Sequence, residues 1–79
     1  MKLEIITPET TIFSGEVQLV QLPGLDGLFE ILNNHAPMIA ALGKGRVKVV
    51  SSADKSTEYF EIKGGVLEVK KNKIIVLAD

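Results

Sequence analysis

The residue types that could support catalysis are few in this chain, and their spacing matches no catalytic arrangement. His35 is the only histidine among the 79 residues. A nucleophilic triad would need a serine such as Ser14 or Ser51 beside it and a carboxylate such as Asp26 or Glu30 behind it. No G-x-S-x-G turn is present, and one histidine cannot supply the ligand spacing of a metal site. The sequence therefore predicts no catalytic site and no metal site. His35 is interpreted as a loop residue whose ring is either bonded to neighbouring backbone or part of a protein contact.

Two glycine motifs also fail the requirements for nucleotide binding. Gly43-Lys44 does not complete the phosphate-loop pattern G-x-x-x-x-G-K-[ST], because residue 38 is methionine and residue 45 is glycine. Gly64-Gly65 is followed by no predicted helix whose amino end could face a pyrophosphate. We therefore predict a bend or bulge at Gly64-Gly65 and no bound cofactor.

One further motif leaves a functional alternative open. Asp54-Lys55 places a lysine in a polar loop of a small β-rich chain. Lipoylated or biotinylated carrier domains attach their prosthetic group to such a lysine, although this resemblance covers only two residues. A solvated loop lysine accounts for the motif equally well. Modification at Lys55 is therefore the alternative hypothesis for this chain.

Composition and length indicate one folded domain covering residues 1–79. Hydrophobic residues make up 46% of the chain and charged residues 24%, which is typical of globular domains. The net charge is −1 without a long run of one sign, so we expect no nucleic-acid binding. Cysteine is absent, which excludes disulfides and thiolate chemistry. A domain this small buries only about 60% of its unfolded surface, so we expect a subunit that a partner covers further.

Apolar residues alternate with polar ones at period two through most of the chain, and turn-forming residues recur about every 8–12 residues. This pattern predicts an all-β fold, a two-sheet antiparallel β-sandwich of about nine or ten short strands. Thr11–Ser14 and Glu16–Leu22 are expected to be separate strands, with Val17 and Leu19 on one face. Pro23-Gly24 is expected to form a turn, and a tight turn is predicted at Gly24-Leu25-Asp26-Gly27.

The same alternation predicts which side chains form the core. The inward-facing positions of the four clearest strands are apolar, and their neighbours are charged. We expect the core to contain Val47, Val49, Phe60, Ile62, Leu67, Val69, Ile74 and Val76.

The turn around Asp26-Gly27 carries more apolar residues than a solvated turn requires. Leu25, Leu28 and Phe29 flank it. A turn with this much apolar surface is commonly covered by a partner, and insertion of Phe29 into the core is an equally good interpretation. Both possibilities remain open from the sequence.

Several ordered motifs resemble one protein family. They are Ile5-Ile6-Thr7-Pro8, Ile12-Phe13-Ser14-Gly15, Leu22-Pro23-Gly24 with Asp26-Gly27, Asn34-His35-Ala36-Pro37, Gly64-Gly65-Val66-Leu67-Glu68-Val69 and Val76-Leu77-Ala78-Asp79. In their order and spacing along nearly the whole chain, they are similar to the epsilon subunits of F-type ATP synthases. The most specific part is H-A-P followed about thirty residues later by G-G-x-L-E-V.

The resemblance implies a β-sandwich, usually of ten strands, that binds the gamma subunit on a sheet face and rests on the ring of c subunits at its base. The chain would be a non-catalytic central-stalk subunit of a proton- or sodium-driven ATP synthase, without a cofactor. It would lie at the cytoplasmic face of the inner (plasma) membrane. The residues expected to meet the c ring are Leu28, Phe29, Glu30, Asn33, Asn34, His35, Ala36 and Pro37.

Three features depart from the family pattern. The family normally continues into a carboxy-terminal helical hairpin, its usual inhibitory element, whereas this sequence ends at Asp79. We therefore expect no helical hairpin and little inhibition of ATP hydrolysis. Glu30 stands where glycine is common, and Asn33 stands where proline often precedes H-A-P. The base loop is expected to have its own local geometry.

Overall fold

The computed structural model describes residues 1–79 as strands and turns without a helix. The all-β prediction is confirmed, and no helix able to span a membrane is present. Eight strands follow one another along the chain: β1 (Lys2–Ile6), β2 (Thr11–Gly24), β3 (Gly27–Leu32), β4 (Met38–Leu42), β5 (Gly45–Ser51), β6 (Thr57–Ile62), β7 (Gly65–Lys70) and β8 (Lys73–Ala78).

The strands form two layers that share β2. The first part of β2 pairs with β1, which continues the layer through β8, β7 and β4. The second part of β2 pairs with β3 on one side and with β5 on the other, and β6 follows β5. Gly24 at the end of β2 also pairs with Leu42 of β4. The hydrogen-bonded network therefore returns to its starting strand, and the core lies between the layers.

The number of strands differs from the prediction because β2 is one long strand. Its 14 residues run through both Gly15 and Pro23-Gly24, where the sequence predicted a break and a turn. Pro23 is tolerated because no ladder bond requires an N–H at this position. Its carbonyl accepts a hydrogen bond from Gly43 N–H (2.8 Å), on the side away from β3. The missing N–H of Pro23 faces that same side, where the ladder with β5 has already ended at Gln21. The turn itself lies at Leu25-Asp26, which confirms the tight turn predicted at Gly24-Leu25-Asp26-Gly27.

An irregularity in β2 also overturns one predicted facing. Pairing with β5 shifts between Val17 and Leu19, so one additional residue is accommodated on β2. Val17, Val20 and Leu22 are fully buried, whereas Leu19 is only half-buried. The prediction that Val17 and Leu19 share a face is therefore wrong.

One strand pair is parallel rather than antiparallel. β1 lies parallel to β8, with Lys2 opposite Lys73 and Ile6 opposite Leu77. All other paired strands are antiparallel. The first and last strands of the chain thus lie side by side, which ties its two ends together.

The core consists of sixteen buried apolar residues contributed by both layers. Seven of the eight predicted core residues are among them. Phe60, the eighth, is half-buried and packs against Phe13 with ring centroids 5.4 Å apart. Its position in β6, which pairs only with β5, explains the remaining exposure.

The predicted bend at Gly64-Gly65 has a steric cause. Gly65 has φ of 147°, in the region that favours glycine. A Cβ at this position would lie 2.1 Å from the carbonyl oxygen of Leu77. The backbones of β7 and β8 therefore approach more closely here than a side chain would permit.

Candidate docking surfaces

The polar side chains of the molecule are all at least partly exposed. No buried side chain is polar or charged, and no group of three potential ligands from histidine, cysteine, aspartate and glutamate could hold a metal ion. The surface is therefore the part of the molecule where function must be sought. Two kinds of surface stand out: an apolar hairpin end, and the outer face of the layer that contains β7 and β8.

The structure divides the eight residues predicted to meet the c ring into two groups. Leu28, Phe29 and Glu30 belong to β3 near its turn with β2, and residues 33–37 follow the other end of β3. At 3.4 Å per residue, Leu28 lies about 17 Å from Asn33, and Glu30 lies about 10 Å from it. Leu28 and the loop at residues 33–37 are thus at opposite ends of β3, with Glu30 between them.

The first group adjoins an exposed apolar tip. Leu25 and Leu28 are 70% and 67% exposed. Leu25 is the first residue of the two-residue turn closed by pairing of Gly24 with Gly27, and Leu28 follows Gly27 in β3. We call Leu25 and Leu28 the leucine tip. Phe29 is half-buried and packs against the core, so its partial insertion into the core is confirmed while the leucines remain uncovered.

Glu30 lies on the outer face of the layer formed by β3, β2, β5 and β6. It is exposed, and its Oε2 accepts a hydrogen bond from Gln21 Nε2 at 3.2 Å. This cross-strand bond joins β3 to β2, since the two residues are directly opposite each other. Glu30 therefore has a local structural contact in addition to its predicted place in an interface.

The second group is a polar loop held by hydrogen bonds. Asn33 Oδ1 accepts a bond from the amino group of Met1 (2.9 Å), and Asn34 N–H donates to Asn72 Oδ1 (2.9 Å). Asn34 has φ of 63°, a conformation that asparagine tolerates well. His35 is exposed, and its Nδ1 lies 2.7 Å from the carbonyl oxygen of Ala36. The interpretation of His35 as a loop residue bonded to local backbone is confirmed.

The outer face of the β1, β8, β7 and β4 layer contains an apolar row that the sequence analysis missed. Ala41 is paired with Val66, Val66 with Leu77, and Leu77 with Ile6. We call these four residues the apolar row. Val66 and Leu77 are 44% and 53% exposed. The sequence does contain an apolar residue at an outward-facing position of each of these four strands. It could not predict the apolar row, because only the strand pairing shows that the four positions are adjacent.

Two further rows complete this outer face. The middle row consists of Ile39, Glu68, Ile75 and Glu4 in consecutive pairing. Beyond it, Lys70 lies opposite Lys73 and Lys73 opposite Lys2, and we call these three residues the lysine row. The face therefore changes from apolar at one end to basic at the other. Ala41 joins the two surfaces, because it lines a shallow depression together with Leu25 and Leu28.

Lys55 lies in the loop between β5 and β6, which is shaped by its own polar groups. Asp54 Oδ1 accepts a hydrogen bond from Ser56 N–H (3.0 Å), and Lys55 N–H donates to Ser51 O (3.1 Å). Hydrogen bonds from Ser56 lower the pKa of the exposed Asp54 carboxyl below its ordinary value. The backbone N–H of Ser56 has the larger effect, and its side chain has the smaller one. The loop is thus a locally bonded surface turn.

Residues 1–79 match the family model described as the ATP synthase delta/epsilon chain, beta-sandwich domain. The chain belongs to this family. It is 53% identical to the ATP synthase epsilon chain of Chlorobium limicola, over 99% of this chain and 88% of that relative. It is 48% identical to the corresponding chain of Chlorobaculum tepidum, over 98% of this chain and 86% of the relative.

Two solved structures have similar folds. One is the Euglena gracilis mitochondrial ATP synthase (OSCP/F1/c-ring), with a TM-score of 0.86 at 18% identity over 96% of this chain. The other is the central stalk and c ring of the Tetrahymena thermophila mitochondrial ATP synthase, with a TM-score of 0.79 at 19% identity over 99% of this chain. This chain covers 48% and 62% of the matched chains. At these identities the likeness concerns the fold.

Family membership confirms the resemblance found in the sequence and the β-sandwich prediction. The chain is a non-catalytic, peripheral subunit of an ATP synthase complex rather than an enzyme with its own active site. The alternative of a carrier domain modified at Lys55 is accordingly dropped.

Proposed function

We propose that this chain acts in the central stalk of a proton- or sodium-driven F-type ATP synthase, where it links the gamma subunit to the c ring and supports rotational coupling. The proposed location is the cytoplasmic face of the inner (plasma) membrane. The observation that carries the proposal is the family match over all 79 residues. Two adjoining apolar surfaces of the strand-only domain support it.

A body that transmits torque must not deform between its two contacts. Of the 46 backbone hydrogen bonds, 38 lie within the strand network. β2 belongs to both layers, so a force applied to one layer reaches the other through a continuous strand. A closely packed core contains little empty space, so it has low compressibility and transmits strain. The domain is thus suited to work as a rigid coupling between neighbours.

We propose that the leucine tip, with Phe29 and Glu30 beside it, is the principal contact with the c ring. Its two leucines form the most exposed apolar turn of the molecule, and a firm interface needs an apolar centre surrounded by polar residues. The loop at residues 33–37 is polar and lies at the opposite end. Its membership of the ring contact remains a prediction, to be tested separately from that of the tip.

We propose the apolar row as the centre of the gamma interface. It presents four adjacent apolar side chains on a regular sheet face, and such a patch on a small soluble domain is commonly a protein contact. Ile39 and Ile75 extend the patch into the middle row. The gamma face and the leucine tip meet at Ala41, so one body can hold both partners at adjoining surfaces.

Copurification and coupling assays test the proposed function. Affinity-tagged chain expressed in its source cells should recover gamma and c subunits, and its intact mass should show no adduct on Lys55. Membranes stripped of the chain should lose proton-coupled ATP synthesis and regain it when the chain is added back. Recovery of a dehydrogenase or carboxylase instead of gamma, together with a lipoyl or biotinyl adduct, would contradict the proposal.

A further inference from the structure

The outer face of the β1, β8, β7 and β4 layer has a directional charge pattern that the coupling role alone does not require. The lysine row places Lys70 directly opposite Lys73, and Lys73 directly opposite Lys2. Like charges directly opposite each other destabilise a sheet. Lys71, in the adjoining turn between β7 and β8, adds a fourth positive charge. A pattern that opposes folding is best understood through a partner that neutralises it.

The neutralisation available inside the domain is incomplete. Lys73 Nζ lies 3.5 Å from Glu4 Oε1. Glu16 is in register with Lys2, but its Oε1 lies 3.6 Å from the amino group of Met1 and forms no ion pair with Lys2. The ion pairs of the molecule include neither Lys70 nor Lys71. Both of these lysines line a shallow depression with Pro37, Met38, Ile39 and Glu68, and Glu68 forms no ion pair with either of them. Positive charge without an ion-pair partner therefore adjoins exposed apolar surface, including Ile39, which is 73% exposed.

We infer that the segment of gamma seated on this face is itself polarised, with apolar side chains over the apolar row and carboxylates over Lys70, Lys71 and the rest of the lysine row. This inference rests on the proposed function, because it takes gamma as the occupant. The lysines require carboxylates opposite them, so the bound segment of gamma has an acidic part. Because the three rows form one continuous face, the acidic and apolar parts belong to the same segment.

The geometry sets the spacing in the partner. Four residues along each strand separate the apolar row from the lysine row, for example Val66 from Lys70 and Leu77 from Lys73. At about 3.3 Å per residue this separation is about 13 Å. A helix lying along the strands would need its carboxylates about nine residues from its apolar contacts, at 1.5 Å per residue. The acidic flank would lie at the end of the domain away from the leucine tip. The segment would therefore have its apolar part near the leucine tip and its acidic part at the far end.

Association kinetics provide the test, since exposed interface charges act mainly on the association rate and on its salt dependence. The binding partner is purified gamma from the same source, measured against the 79-residue chain at low and physiological salt. The screening length falls from about 30 Å at 0.01 M salt to about 8 Å at 0.15 M. The parent association rate should therefore fall as salt rises. Lys70→Glu should reduce the rate at low salt by roughly tenfold, a typical size for electrostatic steering, and should flatten its salt dependence.

Lys70→Glu is informative because folding and binding should change in opposite directions. The new carboxylate would lie opposite Lys73, so it replaces a repulsive pair by an attractive one. Thermal unfolding should show no loss of stability. Lys48→Glu is the matched control, with the same charge change on β5 in the other layer. Its association rate should stay within about twofold of the parent.

Two outcomes would overturn the inference. One is an association rate that does not respond to salt or to Lys70→Glu, and the other is an equal loss for Lys70→Glu and Lys48→Glu, which would indicate a general effect of net charge. Val66→Asp separates the inference from the proposed gamma face. If Val66→Asp abolishes binding while Lys70→Glu binds normally, the gamma face stands and the acidic flank is wrong. If Val66→Asp also binds normally, or the parent chain does not bind gamma, both are wrong.

Discussion

At the scale of single residues, one of two neighbouring positions in β7 stabilises the core and the other is proposed to bind a partner. Leu67 is fully buried in the core, and Val66 lies on the outer face. Leu67→Ala should lower the free energy of unfolding by about 2–5 kcal/mol, because it leaves a cavity between the layers. Val66→Ala should change it by no more than about 0.5 kcal/mol while weakening gamma binding. Urea denaturation of both variants measures the difference, and equal losses would contradict the assignment of faces.

Gly65 provides a second test of a single residue. Gly65→Ala should destabilise the fold by more than about 1 kcal/mol, because a Cβ would collide with Leu77 O at 2.1 Å. Gly43→Ala is the control, since its Cβ would meet no atom closer than 3.7 Å. Thermal unfolding should show the loss for Gly65→Ala only. A Gly65→Ala variant as stable as the parent would mean that the β7–β8 approach is looser than the structure shows.

The carboxyl of Asp54 allows a prediction about pH. Its pKa is lowered chiefly by the backbone N–H of Ser56, so the folded chain binds this proton less readily than the unfolded chain. The stabilisation is present above the unfolded pKa and is lost as pH falls through the lower folded pKa, below about pH 4. Titration followed by NMR should give Asp54 a pKa below its ordinary value. Ser56→Ala should keep most of this shift, because the backbone donor remains, and a return to the ordinary value would contradict the assigned cause.

At the scale of elements, the loop at residues 33–37 depends on the turn between β7 and β8. Asn72 Oδ1 is the acceptor for Asn34 N–H. Asn72→Gly removes that acceptor, while glycine suits the φ of 60° at this position. The loss should be about 0.5–1.5 kcal/mol, with faster hydrogen exchange at Asn34. Asn72→Asp keeps an acceptor oxygen and should preserve the slow exchange, whereas unchanged exchange in Asn72→Gly would show that the bond does not hold the loop.

The elements also show how far sequence reasoning reaches. Local alternation predicted β5, β7 and β8 and most of the core. This is possible because the alternation of apolar and polar residues does not depend on which strand lies next to the one that carries it. It did not predict the continuity of β2 through Gly15 and Pro23, because that depends on which neighbours pair at each point. The parallel pairing of β1 with β8 and the apolar and lysine rows arise from long-range register. The split of the predicted ring contact into two ends has the same origin.

At the scale of the whole molecule, the 79 residues contain strands and turns only. Enzyme reconstituted with this 79-residue chain should therefore hydrolyse ATP at nearly the same rate as enzyme lacking it, while its coupled ATP synthesis increases. Hydrolysis assays on the two preparations make the comparison. Strong inhibition by the chain would show that the sandwich itself can act as a brake.

One rigid sandwich is proposed to use different surfaces for its two partners, and the binding of matched variants to each partner tests this proposal. Dissociation constants for purified gamma and for detergent-solubilised c ring should be measured for Leu28→Asp and Val66→Asp, both of which replace an exposed apolar side chain. His35→Glu, in the loop of the second group, tests that group in the same assay. Leu28→Asp should lose binding to the ring and keep binding to gamma, and Val66→Asp should lose binding to gamma and keep binding to the ring. Thermal unfolding should be unchanged in both. The reverse pattern, or equal loss of both partners by either variant, would contradict this proposal.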